Sequence, residues 1–281
     1  MSILEGALLG LLQGLAEFLP ISSSGHLNLF QALLHTELDN QLLFNILLHV
    51  GTLIAVAVVF WKDWLDMLLH PIRNKTLLLL FVASLPALAA KILFDGPLDY
   101  AETHNTYLGL CFLLTSVMLL LTQVLSTRQK NVEKDHVGFF EAIVMGCLQA
   151  VGMLPGISRS GSTIFGGVLA RVNREAAAKF SFMMSAPAIV GSLLVEGKDA
   201  LEAGISFGSD LPAIIVGMVV AGVVGYFSIR FFLKLIANAT LNGFALYTAI
   251  VGVCVLIFQA MGMMTDPQPV DAALAALRNL C

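Results

Sequence analysis

Charged residues are scarce in this sequence of 281 residues. Only 12% of the side chains are charged, against about 25% in an ordinary soluble domain, and 58% of the residues are hydrophobic. Water therefore cannot be the main solvent of the folded chain, and the composition indicates an integral membrane protein. A net charge of −4 also excludes the strongly basic surface that is typical of nucleic-acid-binding proteins.

Cysteine is also sparse, and its spacing carries no signal. The four cysteines show neither CxxC spacing nor clustering, and three of them lie in apolar segments, where a small hydrophobic side chain is the ordinary role. The sequence therefore predicts neither a disulfide nor a metal–thiolate site. The four residues are Cys111, Cys147, Cys254 and Cys281.

Long apolar segments, by contrast, recur along the whole chain and leave no room for a separate soluble domain. Six of them are long enough to cross a hydrocarbon core of about 30 Å as α-helices. We therefore predict an all-α polytopic membrane protein, with one membrane domain over residues 1–281 and six full spans. The spans are predicted at roughly residues 40–61, 75–94, 105–126, 176–196, 211–234 and 242–261.

Two further apolar segments, residues 3–34 and 139–171, are each interrupted by a short polar stretch. One break reads Pro-Ile-Ser-Ser-Ser-Gly from Pro20, and the other reads Pro-Gly-Ile-Ser-Arg-Ser-Gly from Pro155. The half-helices on either side are too short to span a membrane. Because irregular backbone at membrane depth is tolerated only when it is buried in protein or lines a wet cavity, we predict two re-entrant helical hairpins.

The two broken segments match each other at an offset of 136 residues. The matches include a Glu, a Gln and a Ser-x-Ser-Gly string, which chance similarity between apolar helices does not readily supply. We predict a duplicated unit with copies at residues 1–137 and 138–281, each a hairpin plus three spans. An odd number of crossings inverts the second copy in the membrane, which gives an inverted-topology repeat. The identical pairs are Glu5 and Glu141, Gly10 and Gly146, Leu12 and Leu148, Gln13 and Gln149, Ile21 and Ile157, Ser22 and Ser158, Ser24 and Ser160, and Gly25 and Gly161.

Charged loop residues divide between the two sides of this arrangement. Basic residues such as Lys62, Arg128 and Arg230 fall at one side, and acidic residues such as Asp95 and Asp210 fall at the other. The positive-inside rule makes the basic side cytoplasmic. Both termini and the mouth of the first hairpin are then expected on the periplasmic side. The second hairpin enters from the cytoplasm, so the two polar tips should meet near the midplane.

The tip of the first hairpin combines a carboxylate, an amide, hydroxyls and an imidazole. Gln13 and Glu17 are four residues apart and share one helix face, where they could bind a divalent cation together. A carboxylate at membrane depth is costly unless it has a partner, so Glu17 is a functional candidate. The alternative is that Glu17 only stabilises the fold, through serines or an arginine. Ser23 and His26 follow as candidate nucleophile and candidate base.

The tip of the second hairpin has the features of an anion-binding site. Arg159 lies between Ser158 and Ser160 and opens a half-helix, so backbone N–H groups, hydroxyls and a guanidinium converge at a helix N-terminus. Gly161 allows close approach of the backbone. The alternative is that the serines only cap the helix and that Arg159 neutralises Glu17. An acid and a nucleophile on one tip, with a cation on the other, suit phosphoryl transfer.

Two sequence strings resemble the signatures of one known family. The string Gln-x-x-x-Glu from Gln13, with Pro-x-Ser-Ser-x-Gly-His from Pro20 after it, resembles the first signature of the bacterial undecaprenyl-diphosphatase family (UppP/BacA). The string Pro-Gly-x-Ser-Arg-Ser-x-x-Thr from Pro155 resembles the second, and Leu-His-Val-Gly-Thr from Leu48 matches as well. Gln13 fills a position where many members of the family have Glu, which should weaken metal ligation there.

The resemblance implies an enzyme of the bacterial cytoplasmic (inner) membrane. Such an enzyme removes the terminal phosphate of undecaprenyl diphosphate, recycles this lipid carrier for peptidoglycan synthesis, confers resistance to bacitracin and requires Mg²⁺ or Ca²⁺. As site residues, the family implies Glu17, Ser22, Ser23, His26, Ser158, Arg159 and Thr163. The local pattern of residues adds Ser160 and Gly161 as phosphate-binding residues, and Gln13 beside Glu17 as a metal ligand.

Several alternatives stay open at the level of sequence. Ser23 could attack the terminal phosphorus with His26 or Glu17 as base, or Glu17 could activate a water directly. A flippase for the lipid monophosphate is the rival from another class, because inverted repeats with broken helices are common in secondary carriers. For His49, a hydrogen-bonded packing role is at least as good an interpretation as substrate contact. A homodimer is compatible with the sequence.

Overall fold

The computed structural model describes residues 1–34, 41–71, 73–129, 133–202 and 210–262, and helices are the regular secondary structure of these residues. One isolated bridge joins Lys134 and Val172. The predicted all-α fold class is thus confirmed. In chain order, the helices within these ranges are α1 (Ile3–Ala16), α2 (Ser23–Leu34), α3 (Gln41–Val59), α4 (Trp61–Leu69), α5 (Thr76–Leu93), α6 (Asp95–His104), α7 (Leu108–Gln129), α8 (Phe139–Val151), α9 (Arg159–Leu169), α10 (Arg174–Glu202), α11 (Leu211–Asn238) and α12 (Asn242–Ala260).

Membrane spans account for the longest helices. Five helices, α5, α7, α10, α11 and α12, are long and apolar enough to cross a membrane, and α3 joins them if it is counted with α4, from which it is bent by 73°. Large apolar side chains such as Phe81 and Phe227 are exposed on these helices, as expected for a surface that meets lipid. A polytopic membrane protein is therefore confirmed. The C-terminal residue Cys281, which is predicted on the periplasmic side, lies outside the described ranges.

Both broken segments are interrupted, three residues earlier than the predicted polar stretches. α1 ends before Glu17 and α2 begins at Ser23, while α8 and α9 are separated by residues 152–158. Each break contains a residue with a left-handed backbone, Ser22 with φ +73° and Gly156 with φ +90°. Glycine adopts this conformation readily, whereas a residue with a Cβ rarely does. The conformation of Ser22 must therefore be held by its surroundings.

The first helix of each broken segment packs on a helix from the other half of the chain. α1 lies along α11 and α8 lies against α5. Both contacts are made through glycine, since a Cβ at Gly10 would stand 2.9 Å from the Cα of Gly217, and a Cβ at Gly146 would stand 3.0 Å from the Cγ of Pro86. These close approaches join each broken segment to a helix of the other half of the chain.

We expect Gly10→Ala to destabilise the protein, because its Cβ would collide with the backbone of Gly217, which cannot move aside as a side chain can. Thermal unfolding in detergent should show a midpoint lowered by at least about 3 °C, which corresponds to a loss of about 1 kcal/mol in a chain of this size. Gly191→Ala is the matched control, since a Cβ on this glycine of α10 meets nothing within 4 Å. Equal midpoints for the two variants would contradict the close packing of α1 on α11.

Candidate active site

The two breaks contact each other directly. The Oγ of Ser160 donates a hydrogen bond of 3.2 Å to the carbonyl oxygen of Leu19. A Cβ on Gly25 would lie 2.9 Å from the Cα of Gly156, so only glycine fits where the first break meets the second. The polar residues of both predicted tips are in this way brought into one cluster.

Glu17 is at the centre of the cluster. Its side chain is only 3% exposed, and its Oε1 pairs with the guanidinium Nη2 of Arg159. Its Oε2 accepts one hydrogen bond of 3.0 Å from Gln13 Nε2 and another of 2.6 Å from Ser23 Oγ. A buried carboxylate requires such partners, because an unpaired charge in an apolar interior is costly. The pairing of Glu17 with Arg159 that the sequence suggested is present.

Ser23 has the geometry of an activated hydroxyl. It is the first residue of α2, and its side chain is half-buried with the hydroxyl proton directed at the Glu17 carboxylate. A nucleophile and its base need a separation of about 2.6–3.2 Å, and the contact lies at the short end of this range. Of the two bases considered for Ser23, Glu17 is the one that touches it.

His26 is in the same region but faces away from Ser23 and Glu17. Its Nδ1 lies 2.8 Å from the carbonyl oxygen of Ser22, and its Nε2 lies 2.8 Å from the hydroxyl of Tyr247. The side chain is 1% exposed. Both ring nitrogens are thus engaged elsewhere, and the hypothesis that His26 takes the proton of Ser23 has no contact to support it.

Arg159 opens α9 with two backbone donors free. The Ser158 side chain caps the helix by accepting a hydrogen bond of 3.1 Å from the N–H of Gly161. Among the described residues, no hydrogen bond engages the backbone N–H groups of Arg159 and Ser160. The guanidinium is 22% exposed. The cap and a bound anion would thus use different groups at this terminus. Two backbone N–H donors remain for an anion, beside a guanidinium that pairs with Glu17.

Comparison with known proteins assigns the chain to a family. The family model described as "Bacitracin resistance protein BacA" matches residues 6–254. The chain belongs to the BacA family. The family suggested by the two signature strings is thereby confirmed.

Relatives within the BacA family cover almost the whole chain. The protein named undecaprenyl-diphosphatase from Halothermothrix orenii is 39% identical over 258 residues, which cover 92% of this chain and 98% of its own. The protein of the same name from Carboxydothermus hydrogenoformans is 37% identical over 263 residues, covering 93% of this chain and 99% of its own. The one from Methanosphaera stadtmanae is 33% identical over 284 residues, covering 93% of this chain and 99% of its own.

Two predicted phosphate-binding residues of this BacA protein have hydroxyls that serve the fold. Thr163 is 1% exposed, and its Oγ1 donates to the carbonyl of Arg159 at 2.8 Å and lies 2.6 Å from Ser181 Oγ. The Ser22 Oγ accepts a hydrogen bond of 3.3 Å from the N–H of Gly25. Neither hydroxyl is hydrogen-bonded to Glu17 or to Arg159 Nη2. Both instead help to fix the half-helices whose ends form the polar cluster around Glu17.

A divalent cation fits the donors beside Glu17 if a substrate completes its coordination. The Oε1 of Gln13 is buried and has no hydrogen-bond partner among the described residues. It adjoins a carboxylate, and amide and carboxylate oxygens are ligands that Mg²⁺ and Ca²⁺ prefer. Within the described ranges, no group of three or more His, Cys, Asp or Glu side chains could hold a metal. Mg²⁺ is often bound by one or two carboxylates together with substrate phosphates, and Gln13 with Glu17 suits that arrangement.

One residue at the cluster, Tyr247, went unrecognised in the sequence, and the role of a second, His49, was left open between packing and substrate contact. His49 Nε2 lies 3.8 Å from Glu17 Oε2, while its Nδ1 is held 2.8 Å from the carbonyl of Asn45. Tyr247 reaches His26 from α12. The signal for His49 was its place in the matching string from Leu48, but the sequence carried no sign that Tyr247 would lie beside a residue 221 positions away.

Proposed function

We propose that this BacA family protein is a membrane-embedded phosphatase that hydrolyses undecaprenyl diphosphate to undecaprenyl phosphate and inorganic phosphate. The hydrogen bond from Ser23 Oγ to Glu17, with Arg159 on the other carboxylate oxygen, is the observation that carries the proposal. It places a nucleophile, a base and a phosphate-binding cation together, as phosphoryl transfer requires. The names of the relatives supply the substrate. The reaction would recycle the lipid carrier for peptidoglycan synthesis and protect against bacitracin.

The proposed architecture is one membrane domain of two inverted repeats, residues 1–137 and 138–281. It is supported by the reciprocal packing of α1 on α11 and α8 on α5, since these two pairs correspond at the 136-residue offset. The breaks between α1 and α2 and between α8 and α9 would then be the tips of re-entrant hairpins at the midplane. Such hairpins surround a polar site with protein at a depth where contact with lipid would make it unfavourable.

The proposed location is the bacterial inner membrane, with both termini and the mouth of the site on the periplasmic side. The distribution of basic and acidic loop residues supports this orientation. The N-terminal ammonium of Met1 also pairs with Asp210 at 2.9 Å, which is consistent with a common side for the N-terminus and the start of α11.

Binding of the substrate depends on Arg159. The diphosphate would enter from the periplasmic side while its isoprenoid tail stays in lipid. Phosphate oxygens would replace Glu17 as the partner of the Arg159 guanidinium. They would also accept hydrogen bonds from the backbone N–H groups of Arg159 and Ser160, because a helix N-terminus with an arginine is a favourable phosphate site. Glu17 and Gln13 Oε1 would hold the divalent cation, Mg²⁺ or Ca²⁺, which supplies positive charge to the phosphates when it is bound.

The chemical step begins at Ser23. Its Oγ attacks the terminal phosphorus as the proton passes to Glu17 Oε2, and the bond from this phosphorus to the bridging oxygen breaks to release undecaprenyl phosphate. Water then attacks the phosphoserine, and Glu17 returns the proton to Ser23 Oγ as the ester bond breaks and phosphate leaves. The alternative without an intermediate has Glu17 deprotonate a water, with Ser23 as a positioning hydroxyl.

Release of phosphate by the purified protein tests the proposal. We expect the protein in detergent with Mg²⁺ to release phosphate from undecaprenyl diphosphate, and we expect prior addition of a chelator to reduce the rate. A folded protein that releases none from polyprenyl diphosphates of several chain lengths would contradict the proposal. The names of the relatives refer to diphosphatases and not to transport, so the flippase alternative has no support.

A further inference from the structure

The backbone immediately before the proposed nucleophile is strained. Ser22 has φ +73°, a left-handed conformation that a residue with a Cβ rarely adopts. α2 begins at the next residue, so the orientation of the Ser22 peptide sets the direction from which the Ser23 side chain leaves the helix. A strained residue persists only where its surroundings determine its conformation. The groups that bind Ser22 therefore help to determine the direction of the Ser23 side chain.

His26 binds the Ser22 carbonyl twice. Its backbone N–H donates to this oxygen at 3.2 Å, and its ring Nδ1 lies 2.8 Å from the same oxygen. A carbonyl oxygen only accepts hydrogen bonds, so Nδ1 carries the proton. In the neutral ring, Nε2 is then left with a lone pair, which accepts the hydrogen bond of the Tyr247 hydroxyl at 2.8 Å. The acceptor on one side and the donor on the other select a single tautomer.

The ring of His26 is also fixed by packing. The planes of His26 and Tyr247 are 5° apart with centroids at 5.6 Å, so the two rings lie nearly parallel with their polar edges joined by the hydrogen bond. Phe112 packs edge-on against the imidazole at a centroid distance of 5.1 Å. With 1% exposure, the ring has no room to turn toward Ser23.

We propose that Tyr247 and His26 form a strut that holds Ser22 in its left-handed conformation and so keeps Ser23 Oγ against Glu17. The strut joins α12 to the start of α2, and it makes Tyr247 and His26 positioning residues for the reaction. Neither touches the reacting atoms, because the Ser23 proton is directed at Glu17 and both nitrogens of His26 are occupied. The inference rests on the proposed phosphatase function.

Two substitutions of His26 separate the strut from proton transfer. An Asn amide can take the place of Nδ1 and donate to the Ser22 carbonyl, whereas a Gln amide can take the place of Nε2 and accept from Tyr247. Both remove the titrating imidazole. We expect His26→Gln to lower kcat about 100-fold and His26→Asn to retain about tenfold more activity, because only the Asn variant keeps the contact with Ser22. Similar loss in both variants would assign His26 to proton transfer and overturn the strut.

Tyr247→Phe tests the far end of the strut. Loss of one hydrogen bond should lower kcat about fivefold. We expect KM to stay within about twofold and the unfolding midpoint to stay unchanged, because Ser23 would be misaimed in a protein that still binds substrate and folds. Tyr226→Phe is the matched control, since it loses a hydroxyl that accepts from Arg230 at 2.7 Å, away from the cluster.

The outcomes distinguish the strut from the function on which it rests. An unchanged kcat in Tyr247→Phe, or a loss equal to that in Tyr226→Phe, would overturn the role of Tyr247 while the phosphatase activity stood. Absence of phosphate release from the unsubstituted protein would instead remove the proposed function itself.

Discussion

Glu17→Gln is expected to lower kcat for phosphate release by about 10³-fold in a protein that still folds. General base catalysis contributes about 10²–10⁴-fold, and Glu17 is the only base that contacts Ser23 in the described part of the chain. A neutral amide keeps the shape of the side chain but cannot accept the proton of Ser23. It also removes the negative charge on which Gln13 and a cation would depend.

The folding of this variant follows from the exposure of Arg159. Removing one partner of a buried ion pair is strongly destabilising when the other charge stays buried without a partner. The guanidinium is 22% exposed, so it can remain solvated when the carboxylate is lost. We therefore expect the unfolding midpoint of Glu17→Gln to fall by only a few degrees, which separates a catalytic loss from an unfolded protein.

Glu175→Gln serves as the control for the loss of one carboxylate. Glu175 is exposed in the first turn of α10, and the described residues give it no contact with the cluster. Its substitution should leave kcat unchanged, and both variants are compared by phosphate release and thermal unfolding in the same detergent. A Glu17→Gln protein with more than about a tenth of the unsubstituted activity would remove Glu17 from the role of base.

The sequence predicts the centre of the site because the relevant residues are linked by a repeat. A break in each of two matched apolar segments implies that the tips face each other, and the polar residues of the tips then follow. The contact of Glu17 with Arg159 and that of Glu17 with Gln13 are of this kind. The contact with Gln13 follows from a spacing of four residues within one helix, whereas the contact with Arg159 follows only if the two tips face each other.

The sequence left the role of His49 open and did not predict Tyr247, for a physical reason. Their positions depend on how α3 and α12 are rotated about their own axes, and the sequence of a largely apolar helix determines this rotation weakly. Rotation is instead set by close helix contacts, such as that of Gly51 with the backbone of Met218. Such contacts join segments far apart in the chain.

Thr163 shows a different limit of the sequence, because its motif does not say whether the hydroxyl meets the substrate or holds the helix. It lies four residues after Arg159, one full turn into α9, so its hydroxyl reaches a carbonyl of its own helix and Ser181 of α10. A signature string marks which residues matter in a family without distinguishing those at a substrate from those that hold the helix. Thr163 stays a proposed site residue whose contribution would come through the position of α9.

Ser23→Ala carries the second large expected effect, and its size distinguishes two mechanisms. If Ser23 is the nucleophile, kcat should fall by about 10⁴-fold or more, because the covalent route is lost. If Ser23 only positions a water, the loss of one hydrogen bond to a charged group should lower kcat by about 10- to 100-fold. We expect the larger loss, because the 2.6 Å contact directs the Ser23 proton, and not that of a water, at Glu17.

Ser24→Ala is the control for this substitution. Ser24 is adjacent in α2 and similarly half-buried, and the described residues give it no hydrogen bond to the cluster. We expect its kcat to stay within about twofold of the unsubstituted value. Ser23→Cys adds a chemical test, since turnover retained in that variant with no covalent intermediate would count against a nucleophilic Ser23.

The configuration at phosphorus distinguishes the mechanisms even if the intermediate never accumulates. With a terminal thiophosphate made chiral by two oxygen isotopes and hydrolysed in water of the third isotope, two in-line displacements through the phosphorylated serine give net retention, whereas one displacement by water gives inversion. We expect retention, because Ser23 Oγ is already directed at its base at the end of a half-helix that faces the guanidinium of Arg159. Inversion would make Ser23 a positioning hydroxyl and Glu17 the base for water, and the strut through His26 would then aim that hydroxyl at water instead of at phosphorus.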